Sequence, residues 1–229
     1  MIDYESTLRR EIKFATSEMF RPYIDAWIMN SKLGLRKHYD DRIVNNIYFD
    51  SHNYSAYSDN LAGISDRAKM RYRWYGKHVL PTDGILEIKK KINAFGFKGN
   101  IPISNVNLEE NPTYDCLLSI IRETVPEQMQ LVLDYFSCPM ILNRYHRSYF
   151  LSPFQNIRVT LDSRHEVYDQ RFHAEINTRH KANVVQNLVV EIKFHPDITD
   201  HVSALIDDIP MQISRNSKYI NSVRAVSGY

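Results

Sequence analysis

Long apolar runs are missing from this chain. No stretch approaches the roughly 18 consecutive apolar residues of a transmembrane helix, so we expect no direct insertion into a membrane. Arg9, Arg10 and Glu11 precede the first apolar segment, which is not the pattern of a secretory signal peptide. We therefore expect a cytoplasmic protein.

Cysteine is scarce. The two cysteines, Cys116 and Cys138, are far apart and show no CxxC spacing, which favours reduced thiols over a disulfide or a metal pair. His173 and His180 share one polar stretch and are interpreted as loop histidines. No Ser/His/Asp or Cys/His set is visible, so the sequence does not indicate nucleophilic catalysis by a side chain.

Net charge is also small. The 29 lysines and arginines and 27 aspartates and glutamates give a formal charge of +2, which argues against a surface that coats polyanions, so we expect no nucleic acid partner. A strong anion site must come from a local arrangement of charge. The length of 229 residues and the hydrophobic content of 43% indicate a globular chain with one large domain or two small ones.

One stretch that is rich in charge has two contrasting faces. Residues 66–75 alternate and end at Gly76, which predicts a β-strand. Because successive side chains of a strand point to opposite faces, one face is basic and the other apolar. The basic face carries Arg67, Lys69, Arg71 and Arg73, and the apolar face carries Met70, Tyr72 and Trp74. For a lone strand, a basic face in water is the simple alternative to an anion site.

Charged residues also share one face in other predicted strands of the chain. Glu87 shares a strand face with Lys89, and Glu191 shares one with Lys193. About eight strands are predicted in all, at 8–14, 43–49, 66–75, 85–92, 96–103, 140–150, 157–164 and 184–194.

Helices are predicted where apolar residues recur at intervals of three and four. They lie at 17–32, 53–60, 202–206 and from about 217. Residues 105–138 show the same pattern, interrupted at Pro126, and are interpreted as a helical insert. The basic cluster at 36–38 is predicted to be a surface turn, and residues 166–183 a loop.

The charged faces of these strands must either contact water or surround a shared interior. A single open sheet places them in water, whereas a closed barrel of eight strands gathers them around one axis. Spacing alone leaves both arrangements open. Inward cations are tolerable where they surround an anion and some solvent, because burying unpaired charges is costly.

Seven short motifs, taken together, resemble those of one family. Residues 71–76 read Arg-Tyr-Arg-Trp-Tyr-Gly and resemble the RxRWYG signature of the VTC domain, the polyphosphate polymerase module of the triphosphate tunnel metalloenzyme superfamily. The other segments that resemble family motifs are 9–14, 86–89, 145–150, 157–162, 190–193 and 217–219. Each motif alone is weak, and the ordered set is specific.

The resemblance implies an α+β fold, in which an eight-stranded antiparallel β-barrel tunnel with a polar interior is flanked by helices. It implies a single domain over residues 1–229, with the helical insert near 105–138. The implied ligands are ATP and polyphosphate or triphosphate, and the implied cofactor is Mn²⁺ or Mg²⁺. The ionic side chains of the motifs would then face one channel.

The resemblance also assigns roles to individual residues. Catalytic contacts to phosphate are implied for Lys13, Arg71, Arg73, Lys89, Arg147, Arg158 and Lys193. Further phosphate binding is implied for Lys69, Lys98 and Lys218. Glu191 is the implied principal metal ligand. Glu87 and Glu11 are weaker candidates, which either bind the metal or orient nearby cations.

Two features set this chain apart within the superfamily. The first strand begins with Arg9 where other branches often have glutamate, which favours the VTC branch over the thiamine-triphosphatase and adenylate-cyclase branch. The phosphate-sensing domain and the membrane helices of the eukaryotic polymerases are not found in this sequence. A membrane protein is therefore a candidate partner.

Three functions are compatible with these residues. The first is a polyphosphate polymerase that uses ATP. The second is a metal-dependent hydrolase of inorganic triphosphate or nucleoside triphosphates. The third is a non-catalytic polyphosphate-binding module, which Glu191 argues against because anion binding alone needs no acid among the cations.

Overall fold

A computed structural model describes residues 9–92, 95–110, 112–153 and 156–228. Within these ranges the chain forms nine strands, six α-helices and two short 3₁₀ helices. The strands are β1 (Arg10–Ser17), β2 (Arg36–Asp50), β3 (Arg67–Tyr75), β4 (Gly84–Ile92), β5 (Phe95–Ile103), β6 (Cys138–Ser152), β7 (Ile157–Asp169), β8 (Asn187–Phe194) and β9 (Gln212–Ile213). The α-helices are α1 (Arg21–Asn30), α2 (Ser55–Leu61), α3 (Tyr114–Thr124), α4 (Glu127–Tyr135), α5 (Thr199–Ile206) and α6 (Lys218–Ser227).

The strands pair in the order β5-β4-β3-β2-β6-β7-β8-β1-β9. Neighbours with a described register are antiparallel, for example β1 with β8 and β3 with β4. The predicted α+β class with an antiparallel sheet is confirmed. The strand that exceeds the expected eight is β9, whose two residues are too few to show an alternating pattern.

Two compact units can be distinguished. Unit one consists of the described residues through Arg42, of Tyr145–His165 and of Val185–Asn216. Unit two consists of Ile43–Arg144, Glu166–Val184 and the described residues from Ser217 onward. The single domain over residues 1–229 with a helical insert stays a prediction.

The core of unit one forms under helix α1. Ile24, Trp27 and Ile28 follow one another at helical spacing and are buried, and they pack with the apolar faces of β1, β7 and β8. The indole Nε1 of Trp27 donates a hydrogen bond to Asp208 at 3.0 Å, so its polar edge is satisfied. The opposite faces of these strands are thereby left for charged residues.

The core of unit two uses the apolar face of β3. Met70, Tyr72 and Trp74 are fully buried there, whereas Tyr75 at the end of the strand is exposed. Tyr72 donates its hydroxyl to Thr82 O at 2.7 Å. At Gly84, opposite Trp74, an added Cβ would lie 2.3 Å from the carbonyl oxygen of Arg73, so the two strands approach closely only because this residue has no side chain.

Three segments differ from the sequence prediction. Residues 36–42, predicted as partly turn, belong to β2, and they are exposed, so no apolar alternation marks them. Strand β7 continues to Asp169, into the predicted loop. Residues 105–110, 112 and 113 precede α3 and are not helical, and α3 begins where Thr113 Oγ1 accepts a hydrogen bond from the backbone N–H of Cys116.

Among the described residues, no helix combines the length and the hydropathy that crossing a bilayer would require.

Candidate functional site

Four charged residues of unit one meet where β1 pairs with β8. Lys13 lies opposite Glu191, and Glu11 lies opposite Lys193 in the antiparallel register. The ammonium of Lys193 is 2.5 Å from Glu191 and 3.6 Å from Glu11, and that of Lys13 is 2.7 Å from Glu11 and 3.6 Å from Glu191. We call Glu11, Lys13, Glu191 and Lys193 ionic cluster one.

Ionic cluster one keeps its carboxylates charged. Burial alone would raise the pKa of Glu191, but Lys193, Lys13 and Arg147 outweigh it and lower the pKa to about 2. For Glu11, burial and the neighbouring Glu191 raise the pKa, and Lys13 and Lys193 bring it below its ordinary value. Two adjacent carboxylates therefore remain ionised because lysines surround them.

Arg147 and Asp162 extend the ionic face of unit one. Nε and Nη2 of Arg147 donate to the two carboxylate oxygens of Asp162 at 2.6 and 2.7 Å. Asp162 is completely buried, so its charge needs this partner. Near the start of β7, Arg158 lies opposite Lys193 and is exposed.

Unit two holds a second group of charges, which we call ionic cluster two: Arg71, Arg73 and Glu87. The two arginines approach different oxygens of Glu87, with Arg71 Nη2 at 2.5 Å and Arg73 Nη1 at 3.1 Å. Arg71 also donates to the hydroxyl of Tyr48 at 2.9 Å, and Arg73 to the amide oxygen of Asn46 at 2.8 Å. Neighbouring side chains on β2 thus hold both guanidinium groups in place.

Three lysines stand abreast across β3, β4 and β5. Lys69 pairs in register with Lys89, and Lys89 with Lys98. Lys69 also donates to the hydroxyl of Ser217 at 3.4 Å, and Lys218 follows as the first residue of α6. The backbone register thus places a lysine at the same level on each of three neighbouring strands.

The sequence pattern of the VTC domain matches residues 8–227, nearly the whole chain. The chain belongs to the VTC domain family. The resemblance that the motifs indicated is thereby confirmed.

Other comparisons agree with this VTC domain assignment. The vacuolar transporter chaperone complex subunit 2 of Saccharomyces cerevisiae is 25% identical over 186 residues, which cover 67% of this chain and 22% of the yeast protein. The chain thus spans about a fifth of the length of this curated relative.

Two solved structures share the fold. A putative adenylyl cyclase from Hippeastrum, described as having a dominant triphosphatase activity, superposes with a TM-score of 0.57 at 14% identity, over 96% of both chains. A protein from Pyrococcus horikoshii reaches 0.50 at 11% identity, over 93% of this chain and 96% of its own. At these identities the likeness concerns the fold alone.

The carboxylates of this VTC domain differ in how well they suit a divalent metal. Both carboxylate oxygens of Glu87 form ion pairs with arginines. Glu11 and Glu191 are adjacent, and Thr160 Oγ1, on the residue opposite Glu191, is buried without a hydrogen-bond partner among the described residues. Carboxylate and hydroxyl oxygens are what Mg²⁺ and Mn²⁺ prefer, so these three residues fit such an ion when it is shared with a ligand. The described residues contain no group of three His, Cys, Asp or Glu side chains arranged for a metal.

Most predicted site residues therefore fall into two groups. Unit one brings together Glu11, Lys13, Arg147, Arg158, Glu191 and Lys193, and unit two brings together Lys69, Arg71, Arg73, Glu87 and Lys89. The side chain of Lys98 lies outside the described part of the structure. The functional roles of all these residues, and their alignment along one channel, stay predictions.

Sequence reasoning missed the side chains that orient the arginines. Asn46 and Tyr48 lie within the predicted strand at 43–49, where they occupy alternate positions and so share one face. Asp162 belongs to the motif at 157–162, but the sequence does not indicate that it is the partner of Arg147. The alternation of a polar face inside a buried strand was the available signal.

Proposed function

We propose that this VTC domain is an ATP-dependent polyphosphate polymerase, which transfers the γ-phosphate of ATP to a growing polyphosphate chain. The observation that carries the proposal is ionic cluster one, where two ionised carboxylates lie among lysines at the motif positions of the family. A purely anion-binding surface gains nothing from acids at its centre, whereas a phosphotransferase uses them to hold a metal.

Phosphate contacts are proposed for the cations of both units. Arg71 and Arg73 would bind phosphate oxygens through guanidinium forks, because Asn46 and Tyr48 already orient them. Lys13, Lys89, Arg147, Arg158 and Lys193 would make the remaining contacts at the reacting phosphates, and Lys69, Lys98 and Lys218 would bind the chain. The register that places lysines at the same level on β3, β4 and β5 supports this, because neighbouring cations attract a polyanion.

The proposed reaction needs positioning and charge neutralisation. An oxygen of the terminal phosphate of the chain attacks the γ-phosphorus of ATP, the bond between that phosphorus and the β–γ bridging oxygen breaks, and ADP leaves with the electron pair. The attacking phosphate is already ionised, so no side chain has to remove a proton. Arginine and lysine side chains stabilise the charge that spreads over the transferred group.

Glu191 is the proposed principal ligand of Mn²⁺ or Mg²⁺, with Glu11 and the hydroxyl of Thr160 beside it. When bound, such an ion neutralises phosphate charge and orients the leaving group. Glu87 is the weaker candidate, because both of its oxygens already bind arginine, and orienting those arginines is its simpler role. The low pKa of Glu191 keeps it an anionic ligand at neutral pH.

A triphosphatase is the second candidate. Its support is the fold shared with the Hippeastrum protein that has a dominant triphosphatase activity. In that case water replaces the terminal phosphate as the attacking group. The yeast relative is a subunit of a complex, which supports the proposal that this chain works with a partner protein; a cytoplasmic location and a membrane protein as that partner are further proposals.

Incubation of the purified chain with ATP and Mn²⁺ tests the proposal, with ADP release and polyphosphate length both followed. Long chains formed together with ADP are expected. Free phosphate without chains would instead identify the triphosphatase. Tight tripolyphosphate binding with no ADP release under any divalent metal would leave the non-catalytic binding module.

Glu191→Gln provides the matched variant. It preserves the shape of the side chain and removes the anionic ligand, so turnover should fall at least about a hundredfold while tripolyphosphate still binds. Glu123→Gln, an exposed change on α3, is the control and should leave turnover unchanged. Full turnover in Glu191→Gln would contradict the assigned metal ligand.

A further inference from the structure

An aromatic and cationic group in unit one lies outside its hydrophobic core. Tyr39, on the exposed part of β2, keeps 50% of its surface accessible. Its ring meets the ring of Tyr149 edge to face, with centroids 5.8 Å apart and planes at 84°. The guanidinium carbon of Arg42 lies 5.4 Å from the ring centre of Tyr39 and 5.8 Å from that of Tyr149. We call Tyr39, Arg42 and Tyr149 the aromatic platform.

Core packing does not account for the platform. On β6, Phe150 packs against the hydrophobic core of unit one and Ser148 is buried, so Tyr149 between them points to the other face. The edge-to-face pair is flanked by the guanidinium of Arg42 and by the ring of His38, whose centre lies 3.9 Å from that of Tyr39, and half of the surface of Tyr39 stays in solvent. A rigid, accessible aromatic surface beside an arginine is suited to stacking with a planar, electron-rich ring.

The platform adjoins a proposed phosphate contact. Arg147 lies two residues before Tyr149 on β6, which places both side chains on one face at a separation of about 7 Å. Arg147 itself lies 5.3 Å from the ring centre of Tyr145, so the three alternate residues form a stripe of aromatic and cationic groups. A ligand that places phosphate at Arg147 therefore has a stacking surface within reach.

We propose that the aromatic platform binds the nucleobase of a nucleoside triphosphate. The inference rests on the proposed function, in which ATP is the phosphate donor, and it adds the part of unit one that distinguishes a nucleotide from an inorganic phosphate chain. Recognition is by stacking, so it selects for a base and not for one particular base.

Leucine variants test the platform without changing charge. Tyr39→Leu and Tyr149→Leu are titrated with ATP and with tripolyphosphate by calorimetry, in EDTA so that no turnover consumes the ligand. The dissociation constant for ATP should rise about tenfold in each variant, whereas that for tripolyphosphate should stay the same. Tyr23→Leu is the control, because Tyr23 is also an exposed tyrosine of unit one, 64% accessible on α1, and should change neither constant.

The outcomes separate this inference from the proposed function. An unchanged ATP constant in both variants, or equal weakening of both ligands, overturns the platform while the proposed function stands. Failure of the unmutated chain to bind either ligand overturns the proposed function and the platform with it. Tyr39→Leu affects an exposed side chain, so its thermal midpoint should match that of the unmutated chain, and selective loss of ATP in this variant cannot be attributed to unfolding.

Discussion

Removing the charge of Glu191 should destabilise the fold in a way that depends on pH. Glu191 is buried in ionic cluster one, with Lys193 at 2.5 Å and Lys13 at 3.6 Å. Glutamine at this position keeps the volume of the side chain and leaves Lys13 and Lys193 with Glu11 as their one carboxylate partner among the described residues. Breaking a buried ionic group in this manner is costly because the remaining charges lose their compensation.

The magnitude follows from the pKa of Glu191. The shift from the ordinary value of 4.5 to about 2 corresponds to about 3 kcal/mol of folding free energy at neutral pH. Because the pKa is lower in the folded state, the unfolded chain binds the proton more readily. The stabilisation is therefore complete above about pH 4.5 and disappears as the pH falls toward 2.

Urea unfolding of the unmutated chain and Glu191→Gln at pH 7, 5 and 3 measures this contribution. The variant should be less stable by about 3 kcal/mol at pH 7 and pH 5, and the difference should shrink by more than half at pH 3. Glu123→Gln is again the control and should track the unmutated chain. A difference near zero at pH 7, or one that stays constant down to pH 3, would refute the assigned role of Glu191.

Two further substitutions test unit two. Glu87→Gln removes the negative charge that neutralises Arg71 and Arg73, so the dissociation constant for tripolyphosphate, measured by calorimetry, should fall about fivefold. Weaker binding would mean that Glu87 orients the two arginines more than it competes with the ligand. Tyr219→Phe removes the hydroxyl that donates to the fully buried Asp50 at 2.5 Å, so the free energy of unfolding in urea should fall by about 1–3 kcal/mol, and an unchanged midpoint would show that this bond adds nothing to stability.

Alternation made the strands of this chain predictable wherever one face packs on a core. The pattern of β3 carries its apolar face in every second residue, and the structure buries those residues as expected. The first half of β2 has no such pattern, because all of its residues from Arg36 to Arg42 are exposed. Pairing with a neighbour, which depends on tertiary structure, makes it a strand, and no local signal reports that.

The sequence predicted which charged residues belong to the candidate site, but not which cation pairs with which carboxylate. Motif positions identified Lys13 and Glu191 separately, but which cation meets which carboxylate follows from the register of β1 against β8. A shift of one residue would turn these side chains to the other face. Partners such as Asn46 for Arg73 join residues 27 positions apart, so spacing along the chain could not indicate them.

The pairing of β1 with β8 also constrains when the chain can fold during its synthesis on the ribosome. β1 is synthesised first among the described strands, yet its partner begins only at Asn187, and the strand on its other side begins at Gln212. Closing so long a loop is entropically costly and slows folding. Until β8 and β9 have been synthesised, the backbone N–H and C=O groups of β1 lack their strand partners and can pair with other chains. A nascent or prematurely terminated product is therefore the form most exposed to aggregation, and a chaperone would act by shielding β1.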